Sequence, residues 1–156
     1  MTTTANTADG QIEIVMNGPE WLVLAINDIS TDPGSIVPWF LEPEKLKQWW
    51  GDEHRIDARF GGEYVIAWPR IDRTLRGQIV EIGETNLIYS WTFDHEPDIP
   101  PRVVAIQAIT AEGGTRIEIR HGPYRRDDSD AEERTGHLEG WSYFLPLLAK
   151  AIAEST

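Results

Sequence analysis

The sequence predicts an α+β fold in which a curved antiparallel sheet wraps around a long C-terminal helix, and three observations predict it. Across residues 55–121, apolar side chains recur at every second position, the period of strands with one buried face. No helical period interrupts these runs, which indicates an antiparallel meander. Across residues 130–152, the apolar spacing changes to three and four, the period of an amphipathic helix.

The composition limits the partners that this chain can have. Its 14 Lys and Arg residues against 26 Asp and Glu residues give a formal net charge of −12. Such a field repels phosphate backbones and anionic lipid surfaces, so we expect no nucleic-acid partner and no membrane partner. A run of about 18 apolar residues, which a membrane-spanning helix needs, does not occur in the sequence.

Length and termini predict one domain. A chain of 156 residues can bury one substantial core but is too short for two. Residues 1–10 have neither a basic start nor an apolar stretch, so we interpret them as a flexible tail and residues 11–156 as the domain. The absence of cysteine excludes disulfides and thiolate chemistry and suits a reducing compartment. We therefore expect a cytoplasmic protein.

Turn signals divide the N-terminal third into two strands and two short helices. Residues 11–16 and 21–29 are extended apolar runs separated by an Asn-Gly-Pro turn. A helix is predicted over residues 36–41, with Pro38 in its first turn, where proline is tolerated. A second helix is predicted over residues 44–50, and a glycine ends it.

Glycine and proline signals then divide residues 55–121 into five or six strands. The strand at residues 115–121 alternates clearly between an apolar face and a charged face. The strand at residues 87–93 has one aromatic-rich face. The inward-facing side chains form a concave apolar surface that needs a cover: Tyr64, Ile66, Trp68, Leu87, Tyr89, Trp91, Phe93, Ile117, Ile119 and His121.

The C-terminal helix can supply that cover. Ser129, with Glu132 three residues later, is a capping-box pattern that predicts a helix start near Asp130. About 23 helical residues span about 35 Å, enough to cross a sheet. Pro146 lies inside this helix and predicts a bend without a break. One stripe of the helix is apolar or aromatic: His137, Trp141, Phe144, Leu145, Leu148 and Ile152.

Five sequence elements resemble a known family. Residues 43–51, PEKLKQWWG, resemble the PE-x-L-x-x-WW-G signature of the homologues of the heat-shock protein 90 ATPase activator, within the START-like or SRPBCC superfamily. Four further segments are similar to other elements of that family in the same order: DARFGG at 57–62, GQIVEI at 77–82, residues 114–121 and HLEGW at 137–141. The resemblance covers residues 30–152 and implies the helix-grip fold.

The glycines in these elements also have expected physical roles. The pair at residues 61–62 is expected to supply positive φ angles in a tight strand connection. Gly140 is expected to let the helix approach the sheet closely beside Trp141. The sequence departs from the family pattern at Trp39 and Phe40, whose bulk would reshape a cavity there.

The resemblance implies a cavity between the sheet and the C-terminal helix. Family members bind lipids, polyketide-like aromatics or other hydrophobic molecules, and no cofactor is expected. Each candidate wall residue also fits an ordinary packed core, because most buried aromatic side chains only fill space. The candidates are Trp39, Trp49, Tyr64, Trp68, Tyr89, Trp91, His121, His137, Trp141, Phe144 and Leu148.

Histidines are the main candidates for chemistry. His121 ends an inward strand face and His137 opens the helix stripe, so the two could converge as acid–base groups; the alternative is a pair of partly exposed rim residues without a catalytic role. His54 and His95 are expected to be solvated in polar loops. The acidic residues 127–130 are interpreted as a solvated helix cap and not as a metal site.

The function remains open between three hypotheses. No metal-ligand, Walker, dinucleotide or G-x-S-x-G pattern occurs, which favours a binding protein over an enzyme. The first hypothesis is binding of a small hydrophobic molecule, and the second is a co-chaperone of heat-shock protein 90 acting by surface contact. The third is a cyclase or dehydratase that uses His121, His137 or Tyr89. An edge strand or an exposed tryptophan could also form a homodimer interface.

Overall fold

The structure, a computed structural model, describes residues 3–4 and 11–155. The predicted tail lies outside the described residues except for a two-residue strand. The strands are β1 (Thr3–Thr4), β2 (Ile12–Asn17), β3 (Leu22–Ile29), β4 (Glu53–Ile56), β5 (Glu63–Trp68), β6 (Arg73–Ile82), β7 (Asn86–Phe93), β8 (Arg102–Ala111) and β9 (Gly114–Gly122). The helices are α1 (Pro38–Leu41), α2 (Pro43–Leu46) and α3 (Asp128–Ser155), with 3-10 turns at Pro33–Ser35 and Pro69–Ile71.

All strand pairs that the structure describes are antiparallel. Their order is β1-β2-β3-β9-β8-β7-β6-β5-β4, so β4 to β9 form a meander of six strands. The N-terminal hairpin joins the far edge of this meander because β3 pairs with β9, with Leu22 opposite His121 and Ile26 opposite Ile117. This sheet with one long terminal helix confirms the predicted α+β helix-grip fold.

The short helices differ from their predicted bounds for a local reason. α1 begins at Pro38, the residue expected in its first turn. α2 ends at Leu46, before the predicted residue 50. The amides of Trp49 and Trp50 both bond to the carbonyl of Leu46, at 3.0 and 2.7 Å, so the regular helical hydrogen-bond ladder does not continue.

Helix α3 starts two residues earlier than the capping-box pattern predicted. The cap is formed by Asp127, whose carboxylate accepts the backbone N–H of Asp130 at 2.8 Å. The prediction that Ser129 caps the helix is therefore wrong. The helix runs without interruption through Pro146 to Ser155, so one long element covers the sheet as expected.

The two halves of α3 have different surroundings. In the C-terminal half, Leu145, Leu148 and Ile152 are buried in the core, and this helix contacts strands β2 and β3. In the N-terminal half, His137 is only partly buried and faces the sheet across open space, as does Phe144 near the middle of the helix. This half of the helix and strands β5 to β7 therefore define a pocket.

Glycine positions confirm one expectation and overturn another. Gly61 has a positive φ of 77°, as expected in a tight connection, whereas the positive φ predicted for Gly62 is wrong. Gly62 is required for space, since a Cβ there would lie 1.9 Å from the carbonyl oxygen of Asp57. The role predicted for Gly140 is wrong, because a Cβ there would meet nothing within 4 Å. Gly140 instead lies on the pocket wall.

Candidate functional site

A pocket of about 380 Å³ lies between α3 and strands β5 to β7. Most of its wall is aromatic or aliphatic, while charged and imidazole groups gather toward the loop after β7. The lining residues are Trp50, Trp68, Ile71, Arg73, Trp91, Phe93, His95, Glu96, Glu133, Gly136, His137, Gly140, Trp141 and Phe144.

Trp50 is the centre of the aromatic wall. Its ring centroid lies 5.8 Å from that of Trp68, 6.0 Å from that of Trp91 and 5.5 Å from that of Trp141. Rings at these separations pack against one another and restrict one another's orientation. The wall is thus assembled from α3, two strands and the turn after α2, with a fixed shape in the absence of ligand.

Trp50 was missing from the predicted wall, although its neighbour Trp49 was included. The two indoles leave the backbone in different directions: Trp49 is buried and donates a 3.0 Å hydrogen bond to the carbonyl of Trp39. That bond fixes Trp49 in the core and leaves Trp50 toward the pocket. The two rings stack with centroids 5.3 Å apart and both line a neighbouring depression, so the tandem Trp-Trp in the sequence could not show which of them also lines this pocket.

The predicted site residues fall into three groups. Five of them line the pocket: Trp68, Trp91, His137, Trp141 and Phe144. Five do not line this pocket and lie in the core, where Trp49 and Tyr89 pack against Trp50: Trp39, Trp49, Tyr64, Tyr89 and Leu148. The last, His121, is fully buried behind it.

Tyr64 and Tyr89 illustrate why the inward face of a strand does not identify a pocket residue. Their rings stack with centroids 4.0 Å apart, and Tyr64 donates a 2.6 Å hydrogen bond to the carbonyl of Phe40. Burial raises the pKa of both phenols well above the usual value. Both side chains therefore act as neutral core residues.

The two candidate histidines do converge. The rings of His121 and His137 stack with centroids 4.5 Å apart and planes 12° from parallel. His121 is 0% exposed, so the interpretation of this residue as a partly exposed rim residue is wrong. Its Nδ1 accepts a 3.0 Å hydrogen bond from the indole N–H of Trp141, and its Nε2 is buried without a hydrogen-bond partner among the described residues.

Both rings are neutral at physiological pH. Burial lowers the pKa of His121 far below its usual value, and the neighbouring His137 and Arg102 lower it further. Burial, with a smaller effect from Arg102, lowers the pKa of His137 to about 3. His137 Nδ1 lies 2.7 Å from the Tyr124 hydroxyl, which anchors the ring at the pocket wall.

The remaining histidines lie elsewhere. His54 is on β4 and partly buried, with Nε2 2.6 Å from the carbonyl oxygen of Trp50, so its placement in a solvated loop is wrong. His95 is exposed, as expected, and its ring lies 5.0 Å from that of Phe93 beside the pocket.

A buried ionic cluster lies at the polar end of the pocket. Arg102 is only 2% exposed and lies 3.2 Å from Asp130 and 3.7 Å from Glu133. Asp130 also pairs with Arg125 at 2.9 Å, and the hydrogen bonds from Arg125 lower the pKa of Asp130 to about 2. The interpretation of residues 127–130 as a wholly solvated cap is therefore wrong for Asp130.

Glu133 is the charged residue that connects this cluster to the pocket. Its Oε2 is buried and has no hydrogen bond from the described residues. Its Oε1 lies 3.5 Å from Nε2 of His137. Burial raises the pKa of Glu133 above its usual value, against the opposing influence of Arg102. Periodicity could not identify this residue, because its environment depends on Arg102 in a distant strand.

Comparison with known proteins establishes the family. Residues 33–153 match the family described as activator of Hsp90 ATPase homolog 1-like protein. The chain belongs to this family. The match covers the short helices, the meander and most of α3, and it confirms the resemblance seen in the sequence elements. No curated protein matches the chain.

Solved structures that resemble this family member support its fold. A protein of Mesorhizobium loti has a TM-score of 0.76 at 16% identity, over 87% of this chain and 98% of that one. A protein of Rhodobacter sphaeroides has a TM-score of 0.75 at 19% identity, over 92% and 99%. CalU16 of Micromonospora echinospora has a TM-score of 0.68 at 16% identity, over 97% and 83%. These similarities show the START-like fold.

Residues 3–4 and 11–155 contain neither a membrane-spanning helix nor a cluster of metal ligands. Neither α3 nor any other helix there is long and apolar enough to cross a membrane. No group of three or more His, Asp or Glu side chains in these ranges is arranged so that it could bind a metal ion.

Proposed function

We propose that this protein binds a small hydrophobic molecule in the pocket between α3 and strands β5 to β7. The observation that carries the proposal is the aromatic wall, in which four tryptophans and two phenylalanines surround about 380 Å³. Ligand sites in proteins have this size and are mostly apolar with a few polar groups that orient the ligand. Family membership supports the proposal, because this family commonly binds hydrophobic ligands.

The contacts between the rings favour binding energetically. Trp50 packs against Trp68, Trp91 and Trp141, so the wall is formed before a ligand arrives and little ordering entropy is lost on binding. Each 100 Å² of apolar ligand surface removed from water contributes about 2.5 kcal/mol. A ring system of modest size can therefore offset the entropy cost of association.

A variant that fills the pocket provides the test. Gly140 lines the pocket and a Cβ there meets no atom within 4 Å, so the side chain of Gly140→Leu can start without a clash and should occupy ligand space. Glu139→Leu is the matched control, since Glu139 is exposed and lies outside the pocket wall. We expect ligands found by tryptophan fluorescence and thermal shift to bind the control variant but not Gly140→Leu.

Two results would contradict the proposal. One is a broad screen of apolar compounds that changes neither the fluorescence nor the melting temperature of the wild-type protein. The other is equal binding of every ligand found to the Gly140→Leu and Glu139→Leu variants, because such ligands would bind elsewhere on the surface.

The family description supports co-chaperone activity as a second candidate. The measurement is the ATPase rate of heat-shock protein 90 with and without this protein. If this protein stimulates the ATPase and the Gly140→Leu variant does so equally, the activity belongs to a surface outside the pocket. If the protein only binds a small molecule, its addition should leave the ATPase rate unchanged. Acid–base catalysis has weaker support, since His121 and Tyr89 lie outside the pocket wall and only His137 reaches it.

A further inference from the structure

We propose that the ligand of this pocket is a hydrophobic organic cation, an ammonium compound whose charged group lies among the tryptophan rings beside Glu133. This inference rests on the proposed function and specifies the class of ligand. It is carried by the aromatic composition of the wall, by a carboxylate oxygen of Glu133 that has no hydrogen bond from the described residues, and by the distribution of charge around the pocket.

The aromatic wall provides the first argument. The face of an indole ring is negative and attracts a cation within about 6 Å, more strongly than other aromatic side chains do. Trp50, Trp68, Trp91 and Trp141 all line this one pocket, together with Phe93 and Phe144. A wall made only for a neutral apolar ligand could use aliphatic side chains. The lining of this pocket has one such side chain among the described residues, that of Ile71.

Glu133 provides the second argument. A buried carboxylate oxygen without a hydrogen bond is costly, and proteins usually satisfy such a group. Oε2 of Glu133 is in this state, and the nearest cation, Arg102 Nη2, is 3.7 Å away. Arg102 lies closer to Asp130, at 3.2 Å. A second carboxylate, that of Glu96, lines the same pocket. A positively charged ligand group would complete this arrangement.

The carboxylates of the pocket outnumber its arginines, since Glu96 and Glu133 line it with Arg73. Arg73 directs its guanidinium to the backbone, donating hydrogen bonds to the carbonyls of Ile71 and Asp72 at 3.2 and 3.3 Å. His95 lies 3.8 Å from the carboxylate of Glu96. With a net charge of −12, the whole chain attracts cations and repels fatty acids and phosphates. Anionic ligands would also face Glu133 and Glu96 at close range.

The neighbouring surface offers space for the apolar part of the ligand. A second depression, of about 450 Å³, shares Trp50, Trp68, Ile71 and Phe144 with the first. It continues over Leu147 and over Tyr143, which is 66% exposed. An alkyl or aryl tail extending from the first pocket would cover these apolar side chains, which otherwise face water.

Three probes of matched shape test the inference by titration calorimetry. Benzyltrimethylammonium is the cation, neopentylbenzene is its neutral isostere and 3-phenylpropanoate is the anion. We expect the cation to bind at least tenfold more tightly than the neutral probe, since tenfold is 1.4 kcal/mol and lies within the range of cation–π and carboxylate contacts. The anion should not bind.

Variants then assign the effect to Glu133. Glu133→Gln should weaken binding of benzyltrimethylammonium about tenfold and leave the affinity for neopentylbenzene unchanged, which also shows that the variant is folded. Glu132→Gln is the control, because Glu132 is exposed on the same turn of α3 and lies outside this pocket. It should bind all three probes as the wild-type protein does.

The outcomes separate the two proposals. Equal affinity for the cation and the neutral probe, or an equal loss of both in Glu133→Gln, would overturn the cation inference and leave hydrophobic binding in place. Failure of the cation to bind at all overturns the inference as well, and the screen of apolar compounds with Gly140→Leu then decides the broader function on its own.

Discussion

Acidification from pH 7 to pH 5 should destabilise this protein, because His121 and His137 are buried as neutral rings. In the unfolded chain each histidine has the ordinary pKa of 6.5 and takes up a proton over this interval. In the folded chain the pKa of His137 is about 3 and that of His121 is also lowered, so neither ring is protonated at pH 5. The stabilising effect is complete above pH 6.5 and is lost as the pH falls below it.

The magnitude follows from proton linkage. Between pH 7 and pH 5, a histidine that titrates only in the unfolded state lowers the free energy of unfolding by about 2 kcal/mol. Two such rings give about 4 kcal/mol, a large part of the 5–15 kcal/mol that is typical of folded domains. The raised pKa of Glu133 acts in the opposite direction, so the comparison must isolate the histidines.

A double variant isolates them. His121→Gln with His137→Gln removes both titrating rings while keeping side-chain oxygens that can accept hydrogen bonds. Urea unfolding followed by tryptophan fluorescence at pH 7, 6 and 5 gives the free energy of unfolding for each protein. We expect the wild-type protein to lose about 4 kcal/mol more than the double variant, and each single variant to lie near the midpoint. Equal losses in the wild-type protein and the double variant would refute the assignment of buried neutral rings.

Two further variants test the packing that positions the site. In Gly77→Ala, the new Cβ would lie 1.8 Å from a backbone carbonyl oxygen of β7. We therefore expect the free energy of unfolding to fall by about 3 kcal/mol, or the variant not to fold. The control Gly140→Ala should raise the melting temperature, because alanine favours a helix and its Cβ meets no atom within 4 Å. Asp130→Asn leaves the buried Arg102 with a weaker partner, so the free energy of unfolding measured in urea should fall by about 3 kcal/mol. The control Asp128→Asn changes an exposed residue and should alter that free energy by less than about 0.5 kcal/mol. A loss at residue 130 no larger than that at residue 128 would contradict the importance of the buried ion pair.

Periodicity predicted those features of the fold that depend on neighbouring residues. The alternation at residues 115–121 correctly placed Ile117 and Ile119 in the core, because a strand with one covered face must alternate. The helical stripe correctly predicted that Trp141, Leu145, Leu148 and Ile152 are buried. The predicted helix start was wrong by two residues, because several side chains in residues 127–130 can cap a helix. The carboxylate of Asp130 pairs with Arg102 and Arg125, and Asp127 is the residue that caps the helix.

The sequence by itself determined that a meander of five or six strands would be covered by one long helix, since the local spacing of apolar residues indicates which face of each element is buried. Only the tertiary structure decided which aromatic side chains form a pocket wall. Tyr89 and Trp91 share one strand face, yet Trp91 lines the pocket beside His137 and Trp141 of α3, whereas Tyr89 stacks on Tyr64 in the core. The state of Glu133 likewise depends on Arg102, which lies in another element and is placed beside it only by the complete fold.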